Sequence, residues 1–292
     1  MLKKEGIPMP NIRLVTDSTA DLPKWFVDEY KVSVIPLHIT FPDGRTFLDG
    51  VTVTPQEYNE LLRNIGDELP KTSTPTKEDF QKVYRAILEE EPDCQIISIH
   101  LSSGLSSTVS VAETAARELS PEIYVFDSKN ISFGMGLQLF EAVKVIKEGA
   151  GASKVLERLR DVAEHTETMF CLDTLENLYK GGRIGRVTAF FGSVLSIKPI
   201  IHVKDGIYEP FEKVRSQKQS IQKMIDHASK LLNGKVPAQV AVIHGDCLEM
   251  AEALKEKAEA AFGRALTTFS DTTPVVITHS GLGTLGLTVC YL

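Results

Sequence analysis

Five short apolar runs of this chain end in clusters drawn from serine, threonine and glycine: Val15 to Thr19, Thr72 to Thr76, Leu101 to Ser110, Phe126 to Gly136 and Thr278 to Gly286. Few charges sit within them. Serine and threonine hydroxyls and bare backbone can hold a polar head group such as a carboxylate, whereas a triphosphate asks for Lys, Arg and a metal. A nucleophilic reading competes with this one. Ser103, Ser106, His100, His279, Asp17 and Asp127 all lie at or near predicted strand ends, and these are the residue types of a Ser/His/Asp arrangement. Against it, Ser102 or Ser103 before a helix reads first as its N-cap, and Asp17-Ser18-Thr19 and Asp127-Ser128 read first as turn and cap residues. Lys180-Gly181-Gly182-Arg183-Ile184-Gly185 follows the helical stretch Thr174 to Tyr179. It is either a glycine stop with Arg183 paired at the surface, or a turn that aims a guanidinium at an anion or a partner.

The elements that must position these residues follow from apolar patterning. Four of the five runs, IRLV, CQIISIHL, EIYVF and TPVVITH, read as strands, and helical spacing follows the second and third. Ligands of open α/β sheets bind outside the carboxyl ends of the strands, so the expected crevice is lined by hydroxyls and backbone. Thr54-Pro55-Gln56-Glu57 forms a capping box for a helix through Ile65. Thr76 with Asp79 opens the next helix, whose buried face carries Phe80, Val83, Ile87 and Leu88. Phe41 to Thr46 reads as a hairpin turn. Alternating strands and helices predict a mainly parallel sheet covered by helices on both faces.

Gly149-Ala150-Gly151 ends a helix and Ser153 can cap the next, which places a domain boundary there. The expected organisation is a mobile extension over residues 1–11, an N-terminal α/β domain over 12–150 and a C-terminal α/β domain over 151–292. The second domain begins with helices. It continues with a hairpin, Ile197 to Val203 and Ile207 to Val214, around an Asp-Gly turn. A helix over Ser216 to Leu232, a strand over Gln239 to His244, a helix over Asp246 to Phe262 and a strand over Pro274 to His279 complete a mixed sheet with helices.

At 292 residues the chain is expected to hold two domains of about 150 residues each. Its formal charge of −7 opposes non-specific binding to nucleic acid. No apolar run approaches the roughly 20 residues of a membrane span, and Lys3 and Lys4 precede no signal-like run, so a cytoplasmic protein is expected. Cys94, Cys171, Cys247 and Cys290 form no C-x-x-C pair, which argues for reduced, mostly buried thiols and against a zinc site; no metal or cofactor is expected. Gly281-Leu282-Gly283-Thr284-Leu285-Gly286 matches G-x-G-x-x-G, but a dinucleotide site needs a helix after it and an acid some 20 residues on, and no acid follows. Its glycines either let backbone approach a ligand or turn the chain. The sequence holds no G-x-x-x-x-G-K-[ST], H-E-x-x-H or G-x-S-x-G.

Taken in order, the clusters resemble the DegV family of bacterial fatty-acid-binding proteins. The matching stretches are Val15 to Pro23, Pro36-Leu37 with Asp43-Gly44, Lys71 to Pro75, Leu101 to Ser106, Lys180 to Ile184, Ile197 to Ile200 and Thr278 to Gly281. The resemblance implies two α/β domains, one acyl chain in a buried tunnel between or within them, and no catalytic residue. It also implies a separate ATP-dependent fatty acid kinase that makes acyl phosphate for phospholipid synthesis from the acid presented to it. By position, Thr72 and Ser106 are expected to hold the carboxylate, with His279 a neighbour and Ser73 and Ser103 in the same loops. Arg183 is expected at the anion or at the partner. Two stretches depart from the family's pattern: Leu105-Ser106-Ser107 replaces Leu-Ser-Gly, which is expected to narrow the head-group site, and Gly281-Leu282-Gly283 replaces Gly-Pro-Gly next to His279. The alternative functions are a stand-alone hydrolase or acyltransferase using Ser106 or Ser103 with His279, and a regulator that senses lipid occupancy.

Overall fold

The computed structural model describes residues 11–66, 68–190 and 197–292. The expected extension lies outside the described residues up to position 10, and Asn11 already joins the fold, its carbonyl accepting from the Gln95 N–H at 2.8 Å. The first half runs β1 (Ile12–Asp17), α1 (Lys24–Glu29), β2 (Ser33–Ile35), β3 (His38–Thr40), β4 (Thr46–Leu48), α2 (Pro55–Arg63), β5 (Lys71–Ser73), α3 (Lys77–Glu90), β6 (Gln95–His100), α4 (Thr108–Arg117), β7 (Ile123–Asp127) and α5 (Phe133–Lys147). The second half runs α6 (Ala152–Glu164), β8 (Thr166–Cys171), α7 (Glu176–Lys180), β9 (Lys198–Lys204), β10 (Ile207–Val214), α8 (Gln217–Leu232), β11 (Gln239–His244), α9 (Leu248–Phe262), β12 (Thr268–Asp271), α10 (Pro274–Ser280) and β13 (Leu285–Cys290).

Three sheets result. A parallel sheet orders its strands β2-β1-β6-β7, a mixed six-stranded sheet β10-β9-β8-β13-β11-β12, and a small antiparallel sheet β4-β3-β5. The α/β class read from the sequence is the class observed. Pleating divides the apolar residues of each strand between two cores. In the parallel sheet, Val15 and Ile96 face α3 and α4 with Phe80, Tyr84 and Ala112, while Leu14 and Ile97 face α5 with Phe133 and Leu137. In the mixed sheet, Met169, Val242 and Leu287 face α8 and α9, and Phe170, Ile201 and Ile243 face the core that contains α5. Helix α5 is buried from Phe133 to Leu139 and again at Glu141, Ala142 and Val143, as expected of a helix that is apolar on all sides and lies between two sheets. Residues 149–151 link α5 to α6, and the apolar core continues across them.

Local signals are met where the chain can satisfy them by itself. Thr54 with Glu57 and Thr76 with Asp79 both close complete capping boxes. The turn at residues 41–45 joins β3 to β4, and the Asp205-Gly206 turn joins β9 to β10. Three expectations are corrected. TPVVITH is not a strand: residues 274–280 form α10, with Pro274 at its first turn. The reason is tertiary. Buried carboxylates of Asp21 and Asp49 accept from the N–H groups of Thr273 and Val275 at the helix start, and the β-branched side chains are buried on every side. Ser102 and Ser103 do not cap the helix that follows β6, because α4 starts only at Thr108 after Ser107. Ser153 likewise gives way to Gly151 at the N-cap of α6. Among the described residues no helix is long and apolar enough to cross a membrane.

Candidate functional site: an apolar cavity closed by a threonine and a histidine

A narrow cavity of about 30 Å³ opens at the carboxyl ends of β6 and β7. Leu101 and Leu105 reach it from the loop after β6, Ile131 from the loop after β7 and Leu37 from the segment between β2 and β3. Val275 and Val276 of α10 and Tyr208 of β10 close its far side. Its polar lining consists of Thr72, Ser106, Arg183 and His279. Thr72, Arg183 and His279 also line a wider cleft of about 600 Å³ with Glu68, Lys71 and Lys180. These three side chains therefore stand between an apolar interior and an outer cleft that carries cationic groups.

The Thr72 hydroxyl and His279 Nε2 are hydrogen-bonded at 2.7 Å. Strand β5 brings the threonine and α10 the histidine, 207 residues later. Burial, aided by the nearby Arg183 guanidinium, holds the His279 imidazole down at about 4, so the ring is neutral at neutral pH. Its Nδ1 is buried without a hydrogen-bond partner and packs against Gly181, where a Cβ would lie 2.3 Å from it. An orphaned N–H is worse tolerated than an orphaned lone pair, so the proton belongs on Nε2. Nε2–H then donates to the Thr72 oxygen, and the Thr72 hydroxyl proton is left to donate into the site. Arg183 is held by the carbonyls of Gly181 at 2.7 Å and Leu105 at 3.4 Å. No carboxylate pairs with it among the described residues, so its charge faces the polar end of the cavity uncompensated. Helix α7 does stop at Gly181, while Arg183 bonds to backbone carbonyls and not to a surface acid.

Ser106 lines the cavity and shares a 2.8 Å hydrogen bond with the Thr108 hydroxyl. The loops contribute fewer hydroxyls than expected, because most of the others are consumed internally. Thr278 bonds to the Tyr58 hydroxyl at 2.6 Å, and Ser18 donates to Asp49 at 2.7 Å. Ser73 is exposed, its side chain alternating with that of Thr72 along β5. Ser103 is exposed, donates to Asp127 and receives a hydrogen bond from Lys129. A serine hydrolase would need a serine on His279, and that ring faces Thr72. The chain does assemble a Ser98–His100–Asp17 relay, with contacts of 2.7 and 3.0 Å. All three are fully buried, and Tyr84 donates to Ser98, so this relay ties α3 to β6 and β1 and is closed to any substrate. Sequence reasoning missed the apolar lining, whose residues come one or two at a time from five separate segments and share no local pattern. It also missed Lys71 and Lys180, which did stand inside quoted motifs.

Fold and site define a three-sheet α/β protein with an apolar cavity whose polar end is built from a Thr–His pair and an arginine. The sequence profile of the DegV family, described as uncharacterised proteins, matches residues 11–292, and the chain belongs to that family. A DegV domain-containing protein of Staphylococcus aureus is 35% identical over 276 residues, covering 94% of this chain and 97% of its own. A DegV family protein of Thermus thermophilus, described for its fatty acid binding, superposes with a TM-score of 0.89 at 32% identity over 97% of this chain and all of its own. A stearic acid-binding protein of Eubacterium ventriosum superposes with a TM-score of 0.88 at 25% identity over 96% and 98% of the two chains.

Proposed function

We propose that this protein binds one long-chain fatty acid, with the tail among Leu37, Leu101, Leu105, Ile131, Val275 and Val276 and the carboxyl group at Thr72 and Ser106. The observation that carries this reading is the Thr72–His279 hydrogen bond at the junction of apolar cavity and open cleft. The hydroxyls donate to the carboxylate, Arg183 supplies the compensating charge, and neutral His279 orients Thr72. A cavity of about 30 Å³ has room for a water rather than an acyl chain, so the apolar side chains part to admit the tail. Each buried methylene contributes about 0.8 kcal/mol, so ten or more supply roughly 8 kcal/mol gross, against about 1–3 kcal/mol from two hydroxyl hydrogen bonds. The tail thus sets affinity and the head group sets selectivity. The relatives described as fatty-acid-binding support the same reading.

The carboxyl end faces the outer cleft and the sequence carries no P-loop, so acyl-phosphate formation is assigned to a separate ATP-dependent kinase to which this protein presents its ligand. Mass spectrometry of an organic extract of the denatured protein tests the binding reading. One equivalent of a long-chain fatty acid is expected, and an empty extract together with failure to take up added stearic acid would remove it. The kinase step is tested by reconstitution: Arg183→Glu should lower kinase-dependent acyl-phosphate formation, and undiminished formation would take Arg183 out of the head-group site.

A further inference from the structure

Three potential metal donors meet on the face of the mixed sheet that lies under α8. Glu167 stands on β8, two residues from Met169, which pairs with His202 of β9; Glu167 and His202 therefore share a sheet face. Helix α8 crosses that face and adds His227. His202 Nδ1 lies 2.8 Å from Glu167 Oε1, and His227 Nε2 lies 3.1 Å from the same oxygen. One donor atom from each residue falls within 4.8 Å of the others. Zinc–ligand bonds of about 2.0–2.2 Å place the donors of a tetrahedral site roughly 3.3 Å apart, so these side chains need shift by only about 1 Å to close on an ion.

We propose that Glu167, His202 and His227 bind one divalent transition-metal ion of the zinc class. Two imidazoles and one carboxylate suit zinc and its neighbours better than magnesium or calcium, which prefer all-oxygen shells. The ion takes lone pairs from His202 Nδ1 and His227 Nε2, and the proton of each ring moves to its other nitrogen. The Phe211 ring sits 5.5 Å from the His202 ring and 4.6 Å from the His227 ring and walls one side. The donors remain reachable, with side-chain exposures of 14–25%. Three protein ligands leave a fourth position for water. The site faces away from α5, so the ion is not part of the fatty-acid cavity; it fastens α8 to β8 and β9. No sequence signature announces it, because His202 and His227 stand 35 and 60 residues from Glu167.

The test uses the full-length protein, stripped with a chelator and titrated with Co²⁺ by visible absorption and with Zn²⁺ by calorimetry. One equivalent of each is expected to bind, with Zn²⁺ raising the melting temperature. Glu167→Gln keeps an oxygen that accepts from both imidazoles, so it preserves the fold while removing the charge. Glu167→Gln and His227→Gln should each weaken Zn²⁺ binding by more than about tenfold, while Cys247→Ser, which removes the least buried thiol, leaves it unchanged. No Co²⁺ spectrum and no Zn²⁺ heat into the millimolar range would overturn the proposal, as would one-equivalent binding that survives both substitutions. The wild-type titration decides even if a variant fails to fold.

Discussion

At the scale of single residues, the head-group reading turns on Thr72 and on what holds His279 against it. Thr72→Val keeps the shape of the side chain and removes the hydroxyl that faces the cavity. Stearic acid affinity is expected to fall about tenfold, equivalent to about 1.4 kcal/mol, with the melting temperature of the unliganded protein little changed. Calorimetric titration checks this, and an unchanged affinity would remove Thr72 from the site. Gly181 makes a second test, because it packs against His279 and lines the outer cleft, not the apolar cavity. A methyl group at this position would stand 2.3 Å from Nδ1. Gly181→Ala should displace the imidazole and weaken binding as Thr72→Val does; full affinity in this variant would mean that the ring's position is irrelevant to binding.

At the scale of elements, α10 is the piece on which the site depends, since it carries Val275, Val276 and His279. Its start is held by two buried carboxyl groups. Asp49 accepts from Ser18 at 2.7 Å and from the Val275 N–H at 3.3 Å, and Asp21 accepts from Thr272 at 2.6 Å and from the Thr273 N–H at 2.8 Å. Burial pushes Asp21 up to about 6 and Asp49 up to about 7. In the unfolded chain both titrate near 3.9. Between these values the native state binds more protons than the unfolded state, so this contribution to stability is present at low pH and is lost as pH rises through 6 and 7. The melting temperature should therefore fall from about pH 5.5 to pH 8, and Asp49→Asn should flatten the slope. Asp127 and Glu141 act in the opposite sense. Their folded carboxyls are held low by Lys129 and Arg158 despite burial, so they destabilise the fold only as pH drops below their ordinary range. A melting temperature that climbs steadily from pH 5.5 to 8 would refute the assignment of Asp21 and Asp49.

At the scale of the whole molecule, α5 is shared between the parallel and the mixed sheet, and its burial couples the two halves of the chain. Leu137 is fully buried in the core that draws on both sheets. Leu137→Ala should cost about 2–5 kcal/mol, and it should do so in a single transition. Trp25 packs edge-on against Phe140 of α5 and provides a fluorescence signal from the first half, while far-UV circular dichroism follows all the helices. Coincident urea transitions from the two probes are expected. Separate transitions would show that residues 12–150 and 151–292 unfold as independent domains.

What the chain determined by itself was whatever a short segment can express. The capping boxes at Thr54 and Thr76, the two hairpin turns and the strands at Ile12, Gln95 and Ile123 are local compromises between side chain and backbone, and they were legible. The polar lining of the cavity was legible for a related reason: Thr72, Ser106, Arg183 and His279 stand in short motifs whose order marks the family. Tertiary structure decided the rest. TPVVITH has the β-branched content of a strand, yet it coils because Asp49 and Asp21, 226 and 252 residues distant from their N–H partners, satisfy its first amides inside a closed core. The lining of the cavity and the grouping of Glu167, His202 and His227 are equally non-local. Each depends on which strands become neighbours, and strand order follows from burying apolar faces across the whole molecule, a property that no local window of sequence contains.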